Sequence, residues 1–106
     1  MKDNEKDQFK QEAEIFKALA HPTRLYILHQ IQQKRLSVKQ LSDAVGIDIS
    51  TMSKHLNILK QHKIIEGEKS NNKVFYRLKI PCVLDFMSCA KKVLNTTSIN
   101  NLQGKK

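Results

Sequence analysis

The sequence predicts a single, mostly α-helical domain that carries one small β-hairpin. Apolar residues recur at helical spacing in four segments before residue 62 and in one segment after residue 80. Two short β-rich runs lie between these segments and are separated by a polar turn. The chain has 106 residues, which is the usual size of one domain. We expect the domain to occupy residues 1–94, and the Asn-, Thr-, Ser- and Lys-containing residues 95–106 to form a flexible C-terminal tail.

The first two helices are separated by a His-Pro break. The first helix is predicted from about Lys6 to Ala20. Its apolar stripe comprises Phe9, Ala13, Phe16 and Ala20. Pro22 fits the first turn of the second helix, because the N–H that proline lacks has no helical partner at that position. The residues of the second helix predicted to point inward are Leu25, Leu28 and Ile31.

A third helix and a tight turn follow. Ser37 and Gln40 match a capping box, so Ser37 should begin a helix that ends near Val45. Gly46 supplies the left-handed residue that commonly ends a helix. Asp48 then serves as the N-cap of a fourth helix, which runs to about Leu59.

The fourth helix has two unlike faces. Its inward residues are Met52, Leu56 and Leu59. Its outward residues are Ser50, Ser53, Lys54 and Asn57. No carboxylate follows Asp48 within the helix, whereas a solvated face usually mixes Glu with Lys. Such a face suits the phosphates and base edges of a DNA major groove, although an ordinary amphipathic helix fits this segment equally well.

The remaining elements are a hairpin and a last helix. The β-rich runs are 64–68 and 73–78, with a basic turn at 69–72. Pro81 opens a helix to about Leu94. Its apolar stripe comprises Val83, Phe86, Met87, Ala90 and Leu94. The predicted order α-α-α-α-β-β-α, in which two short helices precede a basic hairpin, is that of a winged helix-turn-helix.

Positive charge is concentrated in the middle of the chain. The net charge is +9. Residues 1–20 hold four Lys and five acidic residues, whereas residues 34–79 hold ten Lys or Arg and four acidic residues. A clustered basic surface favours a polyanionic partner, because binding releases counterions.

Other classes of protein are not indicated. The chain has no apolar run long enough to span a membrane and no basic-then-apolar leader, so we expect a cytoplasmic protein without a membrane partner. Its two cysteines should then remain reduced. No Ser/His/Asp, Cys/His or paired-carboxylate arrangement is legible, and the four His are scattered, so we expect no enzymatic activity.

Three segments resemble one known family. Residues 16–25, Phe-Lys-Ala-Leu-Ala-His-Pro-Thr-Arg-Leu, are similar to the opening segment of ArsR/SmtB-family repressors. Residues 50–59, Ser-Thr-Met-Ser-Lys-His-Leu-Asn-Ile-Leu, resemble the recognition helix of that family. Residues 73–78, Lys-Val-Phe-Tyr-Arg-Leu, are similar to its second wing strand. The resemblance covers roughly residues 9–94.

The resemblance implies a homodimeric bacterial transcriptional repressor that leaves its operator when an effector binds. The dimer would be built from the first and last helices, and its partner would be double-stranded DNA carrying an inverted repeat. The candidate DNA-binding residues are Ser50, Thr51, Ser53, Lys54, His55, Asn57, Lys69, Asn71 and Lys73. Within this set Lys54 and Asn57 are placed for base edges, and His55 is expected to have a supporting role. Arg24 is expected to shape the junction of the first two helices, with a phosphate as its alternative contact.

The chain departs from the metal sites of the family. The family's best-known site opens the third helix with two thiols, and Ser37 and Lys39 occupy those positions here. Neither binds a soft metal as a thiolate does. The site that other members build from His and carboxylates of the last helix is also missing, because that helix offers only Asp85 and no His. Zinc sensing by either route is not expected, and no cofactor is required.

Cys82 and Cys89 remain as candidate effector residues. They are seven residues apart, which is about 10.5 Å along a regular helix and too far for a disulfide or a shared metal ion within it. An irregular first turn after Pro81, or antiparallel pairing of two protomers, would bring thiols together. Some family members use thiols of this helix to bind trivalent arsenic or antimony, and others use paired cysteines to sense persulfide or oxidant. The alternative is that each Cys is a small buried hydrophobic residue.

Two further functions fit the same residues. One is a winged-helix regulator without a small-molecule effector. The other is a winged helix that contacts an acidic protein partner through its basic face.

Overall fold

The computed structural model describes the backbone of residues 1–104 and the side chains of residues 1–95. Within this part of the chain the elements, in order, are α1 (Asp3–Leu19), α2 (Pro22–Gln33), β1 (Leu36–Ser37), α3 (Val38–Val45), α4 (Ile49–Gln61), β2 (Ile65–Ser70), β3 (Lys73–Leu78) and α5 (Cys82–Gly104). The helix-turn-helix consists of α3 and α4, and the wing is the hairpin β2–β3. The predicted winged helix-turn-helix is therefore confirmed.

The junction between α1 and α2 forms at the predicted His-Pro break. His21 is the N-cap of α2, and its ring Nδ1 accepts a hydrogen bond from the Thr23 backbone N–H at 3.1 Å. Pro22 follows at the first helical position. The most deeply buried residues of α2 are Ile27, Leu28 and Ile31, whereas Leu25 is half-buried.

The caps predicted for α3 and α4 are present. Ser37 and Gln40 form a reciprocal capping box, with donor–acceptor distances of 3.2 Å and 2.9 Å. Gly46 has φ of 85°, the left-handed conformation that only glycine adopts without strain. The Asp48 carboxylate accepts the Thr51 backbone N–H at 3.2 Å and so begins α4. These local signals fix the angle at which α4 leaves the turn.

The sheet has one more strand than the sequence predicted. Its order is β1-β3-β2, and all pairs are antiparallel. β1 has only two residues, Leu36 and Ser37, which pair with Tyr76 and Phe75. Such a short strand has no alternating pattern of its own, and it forms because β3 lies beside it in the fold. The predicted order without this strand is therefore incomplete.

The wing turn is tighter than predicted. Only Asn71 and Asn72 lie outside the strands, with φ of 50° and 65°. Two consecutive left-handed residues form the two-residue turn that joins twisted strands, and Asn tolerates this conformation. The predicted turn at 69–72 is thus shorter by two residues, and Lys69 and Ser70 belong to β2.

The last helix is longer than predicted. α5 begins at Cys82 and continues to Gly104, so the predicted end near Leu94 is wrong. The polar residues that follow Leu94 include no Pro, and no Gly before Gly104, and they therefore carry no strong stop signal. Residues 105–106 lie outside the described residues, and the flexibility expected for 95–106 stays a prediction.

The core lies between α2, α3, α4 and the sheet. Its fully buried large side chains are Ile27, Leu28, Leu41, Met52, Leu56, Leu59, Ile64 and Ile65. The three inward residues predicted for α4 are among them. None of the helices in the described part of the chain has the length and apolarity that crossing a membrane requires.

The apolar stripes of α1 and α5 lie largely outside this core. Phe9, Phe16 and Phe86 are each about half exposed, at 51%, 55% and 53%. The rings of Phe16 and Phe86 contact edge to face, with centroids 6.3 Å apart. Val83, at the start of the stripe predicted for the last helix, is buried in the core, whereas the other residues of the two predicted stripes are half-buried or exposed in the single chain.

Candidate nucleic-acid interface

The outward face of α4 is exposed and carries no carboxylate. Ser50, Lys54 and Asn57 are exposed, and we call these three residues the reading face. Thr51 is also exposed, and Ser53 is half-buried beside it. The reading face therefore presents hydroxyl and amide groups and the Lys54 ammonium group to solvent.

Asp48 caps the N-terminus of α4. The Thr51 hydroxyl and backbone N–H both donate to its carboxylate, and these bonds hold the pKa of Asp48 below its ordinary value. The Asp48 carboxylate is therefore ionised at neutral pH and interacts favourably with the helix dipole. A phosphate approaching the first turn would meet this negative charge, and the Thr51 hydroxyl already donates to Asp48.

The wing carries its accessible positive charge at the tip. Lys69, Asn71 and Lys73 are exposed around the two-residue turn. Farther from the tip, Arg77 pairs with both Glu66 and Glu68 across the hairpin. These two glutamates neutralise the arginine of the wing.

Arg35 extends this ion-pair network to the strand before α3. Its guanidinium contacts Glu68 at 3.4 Å and lies over the Phe75 ring, 4.9 Å from the centroid. The network was not predicted, because it joins residues that only the packing of β1 against β3 brings together. It leaves the tip lysines as the wing's candidates for DNA contact.

His55 differs from the other candidate DNA-binding residues. It is half-buried on the flank of α4 that faces α1 and α2, and its ring lies 4.6 Å from the His21 ring. Its Nδ1 is 3.3 Å from an Nη1 of Arg24. Burial, together with the neighbouring His21 and Arg24, lowers the pKa of His55 below its ordinary value. This environment agrees with the supporting role expected for His55.

Arg24 lies at the helix junction, as expected. Its Nε donates to the Ala18 carbonyl at 2.6 Å and its Nη2 donates to the Lys17 carbonyl at 3.3 Å. These carbonyls belong to the last turn of α1, where most backbone acceptors lack a regular helical partner. The Lys17 carbonyl also accepts from the Ala20 backbone N–H at 3.3 Å. Arg24 therefore links the end of α1 to α4 through His55.

Both candidate effector thiols are exposed on α5. Cys82 is the first residue of the helix and Cys89 lies seven residues later, each accessible to solvent in the single chain. Neither thiol is buried within the single chain. Among the described residues no group of three or more His, Cys, Asp or Glu is placed to hold a metal ion.

Comparisons with known proteins give the family of this chain. A sequence model of the helix-turn-helix domain matches residues 19–68. An uncharacterised HTH-type transcriptional regulator of Mycobacterium tuberculosis, Rv0081, is 33% identical over 87 residues, which are 81% of this chain and 76% of that protein. The HTH-type transcriptional repressor SmtB of M. tuberculosis is 38% identical over 65 residues, which are 61% of this chain and 48% of that protein.

Solved structures give the same result. The crystal structure of M. tuberculosis Rv0081 has a TM-score of 0.78 and 29% identity, covering 90% of this chain and 96% of that one. The solution structure of a homodimeric winged helix-turn-helix domain from Mycobacterium bovis, a possible ArsR-family regulator, has a TM-score of 0.76 and 26% identity, covering 90% and 88%. The chain belongs to the ArsR/SmtB family of winged helix-turn-helix transcriptional regulators.

The chain is an ArsR/SmtB-type transcriptional repressor, and the region that matches the family model contains its helix-turn-helix. The matched residues 19–68 include α2, β1, α3 and α4 and end within β2. The Arg24–His55 contact lies inside this region, but neither residue type nor spacing indicated it. Regulators of this type act by binding DNA.

Proposed function

We propose that this chain is a homodimeric repressor that binds an inverted-repeat operator through α4 and the wing, and that a thiol-reactive effector acting at Cys82 and Cys89 releases it. The observation that carries the DNA-binding part is that the reading face of α4 and the basic wing tip are both exposed. Both surfaces lie outside the core and lack exposed carboxylates at their centres.

The two surfaces would make different kinds of contact. Lys54 and Asn57 are long enough to reach base edges in the major groove, where a good bidentate contact contributes about 1–3 kcal/mol of discrimination. The Ser50 hydroxyl and nearby backbone N–H groups suit a phosphate. Lys69, Asn71 and Lys73 at the wing tip would contact the backbone, so their contribution would be sequence-independent and sensitive to salt.

The proposed homodimer rests on the exposed apolar residues of α1 and α5. Half-exposed Phe9, Phe16 and Phe86 form part of a surface that water covers in the single chain. A second copy would bury this surface and place two α4 helices about 34 Å apart, one turn of DNA. The related M. bovis domain is homodimeric, which supports the same arrangement here.

The proposed effector chemistry rests on the two exposed thiols. Because a regular helix separates Cys82 from Cys89 by about 10.5 Å, a ligand or disulfide that uses two sulfurs would recruit one from each protomer. Trivalent arsenic or antimony, persulfide and oxidant all react with exposed thiols. The effector would thus act on α5, which also carries part of the proposed dimer surface.

Charge-removing variants test the DNA-binding part by fluorescence anisotropy with labelled DNA duplexes. The promoter duplex that the wild type binds most tightly, called the preferred duplex, is compared with a random duplex. Lys54→Ala should weaken binding to the preferred duplex about tenfold or more and reduce its preference over random duplex. Lys69→Ala should weaken binding to every duplex alike and lower the slope of log K against log salt by about one. Lys10→Ala, which removes an exposed charge from α1, is the control and should change neither.

Equal affinity of the wild type for the preferred and random duplexes would contradict a repressor and favour the protein-interaction alternative. In that case a pull-down with acidic peptides would be the next measurement.

The effector part is tested with the same duplex and the variants Cys82→Ser and Cys89→Ser. Arsenite, antimonite, zinc, persulfide and peroxide are added in turn to the protein–DNA complex. We expect release of the wild type by at least one thiol-reactive compound and loss of that release in both variants. A full response in both Ser variants would remove the cysteines from the mechanism, and no response of the wild type to any compound would favour a regulator without a small-molecule effector.

A further inference from the structure

Three helices meet at one arginine. The Arg24 guanidinium donates through Nε and Nη2 to the carbonyls of Ala18 and Lys17, at the end of α1. Its remaining Nη1 reaches His55 Nδ1 on α4, at 3.3 Å. Arginine has donors only, so His55 Nδ1 must accept and the proton of the neutral ring must lie on Nε2.

The surroundings of His55 hold it in this state. Its ring lies against the His21 ring with centroids 4.6 Å apart, and His21 Nδ1 is itself occupied by the Thr23 N–H. From α2 the titratable and charged groups that face His55 are therefore His21 and Arg24. From α1 the neighbouring groups are the two backbone carbonyls that accept from Arg24. The charged Lys17 side chain of α1 pairs instead with Glu14, at 3.4 Å.

We propose that Arg24 is a positioning residue for operator recognition: it ties α4 to the end of α1 through a neutral His55, and protonation of His55 releases this tie. The proposal rests on the DNA-binding function proposed above and goes beyond it, because neither residue needs to touch DNA. Arg24 acts only through the placement of α4, and α1 carries part of the proposed dimer surface. The tie would therefore help to hold the spacing between two α4 helices.

Acidification acts on this tie in a defined direction. The pKa of His55 lies below its ordinary value because of burial first, and then because of His21 and Arg24, so His55 is neutral at pH 7. In the unfolded chain His55 has the ordinary pKa of 6.5, and in the folded chain its pKa is lower. As the pH falls through 6.5, the unfolded chain therefore binds the proton first, and the free energy of unfolding decreases. Once His55 is protonated in the fold, Nδ1 becomes a donor facing a donor of Arg24, and the hydrogen bond is lost.

The expected effect on DNA separates positioning from simple charge. A protonated His55 adds positive charge, which by itself would strengthen binding to any duplex. Loss of the tie would instead weaken only binding that depends on the placement of α4. The quantity to measure is the ratio of affinities for the preferred duplex and for a random duplex of equal length.

The experiment uses the full chain and a duplex selected by the wild type from a random pool, compared with random duplex between about pH 7.5 and pH 5.5. His55→Gln keeps an amide oxygen that can accept from Arg24 but does not titrate. We expect the wild-type affinity ratio to fall about tenfold over this range, as for loss of one charge-assisted hydrogen bond. The affinity ratio of His55→Gln should not fall with pH, whatever its value at pH 7.5, whereas the control His29→Gln should show the same fall as the wild type.

Arg24→Lys keeps the charge but lacks the planar fork of donors. It should lower the affinity ratio at pH 7.5 and remove the further fall at lower pH, because loss of the donor fork and protonation of His55 break the same contact. A wild-type pH profile in His55→Gln, or an unchanged ratio in a folded Arg24→Lys, would overturn the proposal while leaving DNA binding intact. If the wild type itself selects no duplex over random sequence, the proposed function fails, and this proposal fails with it.

Discussion

At the scale of single residues, Ser42 is a buried polar group that the fold leaves unsatisfied. It lies in α3 with 4% of its surface exposed, and its hydroxyl has no hydrogen-bond partner among the described residues. Its backbone carbonyl, in contrast, accepts from the N–H groups of Gly46 and Ile47. The side chain is buried, and its unpaired oxygen contributes a desolvation cost of about 1–3 kcal/mol.

Ser42→Ala should therefore stabilise the protein. Removing the hydroxyl relieves part of the desolvation cost, and Ala adds about 0.5 kcal/mol through helix propensity. The measurement is urea unfolding, with an increase in the midpoint and an unchanged m-value. Ser88→Ala, at an exposed position of α5, gains only the propensity part and is the matched control. A destabilised Ser42→Ala would mean that a water molecule satisfies the hydroxyl.

At the scale of elements, the turn between α3 and α4 depends on Gly46. Its φ of 85° lies in the left-handed region, and a Cβ built there would meet no atom within 4 Å. The cost of Gly46→Ala is therefore a backbone cost alone, about 1–2 kcal/mol, with a decrease in Tm of several degrees. Gly46→Asn should lose less, since Asn tolerates this conformation. Equal melting temperatures for wild type and Gly46→Ala would contradict this assignment.

Elements with short-range signals could be predicted from the sequence, and those that depend on packing could not. The Ser37 capping box, Gly46 and the Asp48 cap lie within a few residues of the helix ends that they define. β1 has no such signal, because Leu36 becomes a strand only where Tyr76 lies beside it.

The candidate site likewise has features that the sequence predicted and contacts that it could not predict. Helical spacing assigned the exposed face of α4 correctly, since it follows from the period of the helix. It did not reveal that His55 contacts Arg24, nor that Arg77 pairs with two glutamates, because those contacts depend on how separate elements pack.

At the scale of the whole molecule, the apolar surface of α1 and α5 is the feature that a monomer leaves unexplained. The core is complete without Phe9 and Phe86, which remain about half exposed, at 51% and 53%. Phe16 and Phe86 already contact each other, so α1 and α5 present their aromatic residues together. In a two-fold dimer each of these residues would be used twice, and one substitution would change the interface in both protomers.

Phe86→Asp should therefore shift the protein from dimer to monomer. Burying one Phe contributes about 1.5–3 kcal/mol, and two symmetric copies are lost together, so the dimer should weaken by roughly a hundredfold or more. Sedimentation velocity over a concentration series measures this shift. Tyr26→Asp, at an exposed aromatic residue of α2 (41% exposed), is the matched control and should remain dimeric.

The same variant should bind the inverted repeat no better than a single half-site, because two separate α4 helices must then bind independently. Its affinity for the half-site should equal that of the wild type, since the reading face and the wing tip are unchanged. A Phe86→Asp protein that stays dimeric and keeps its preference for the full inverted repeat would show that α5 is not the dimer surface.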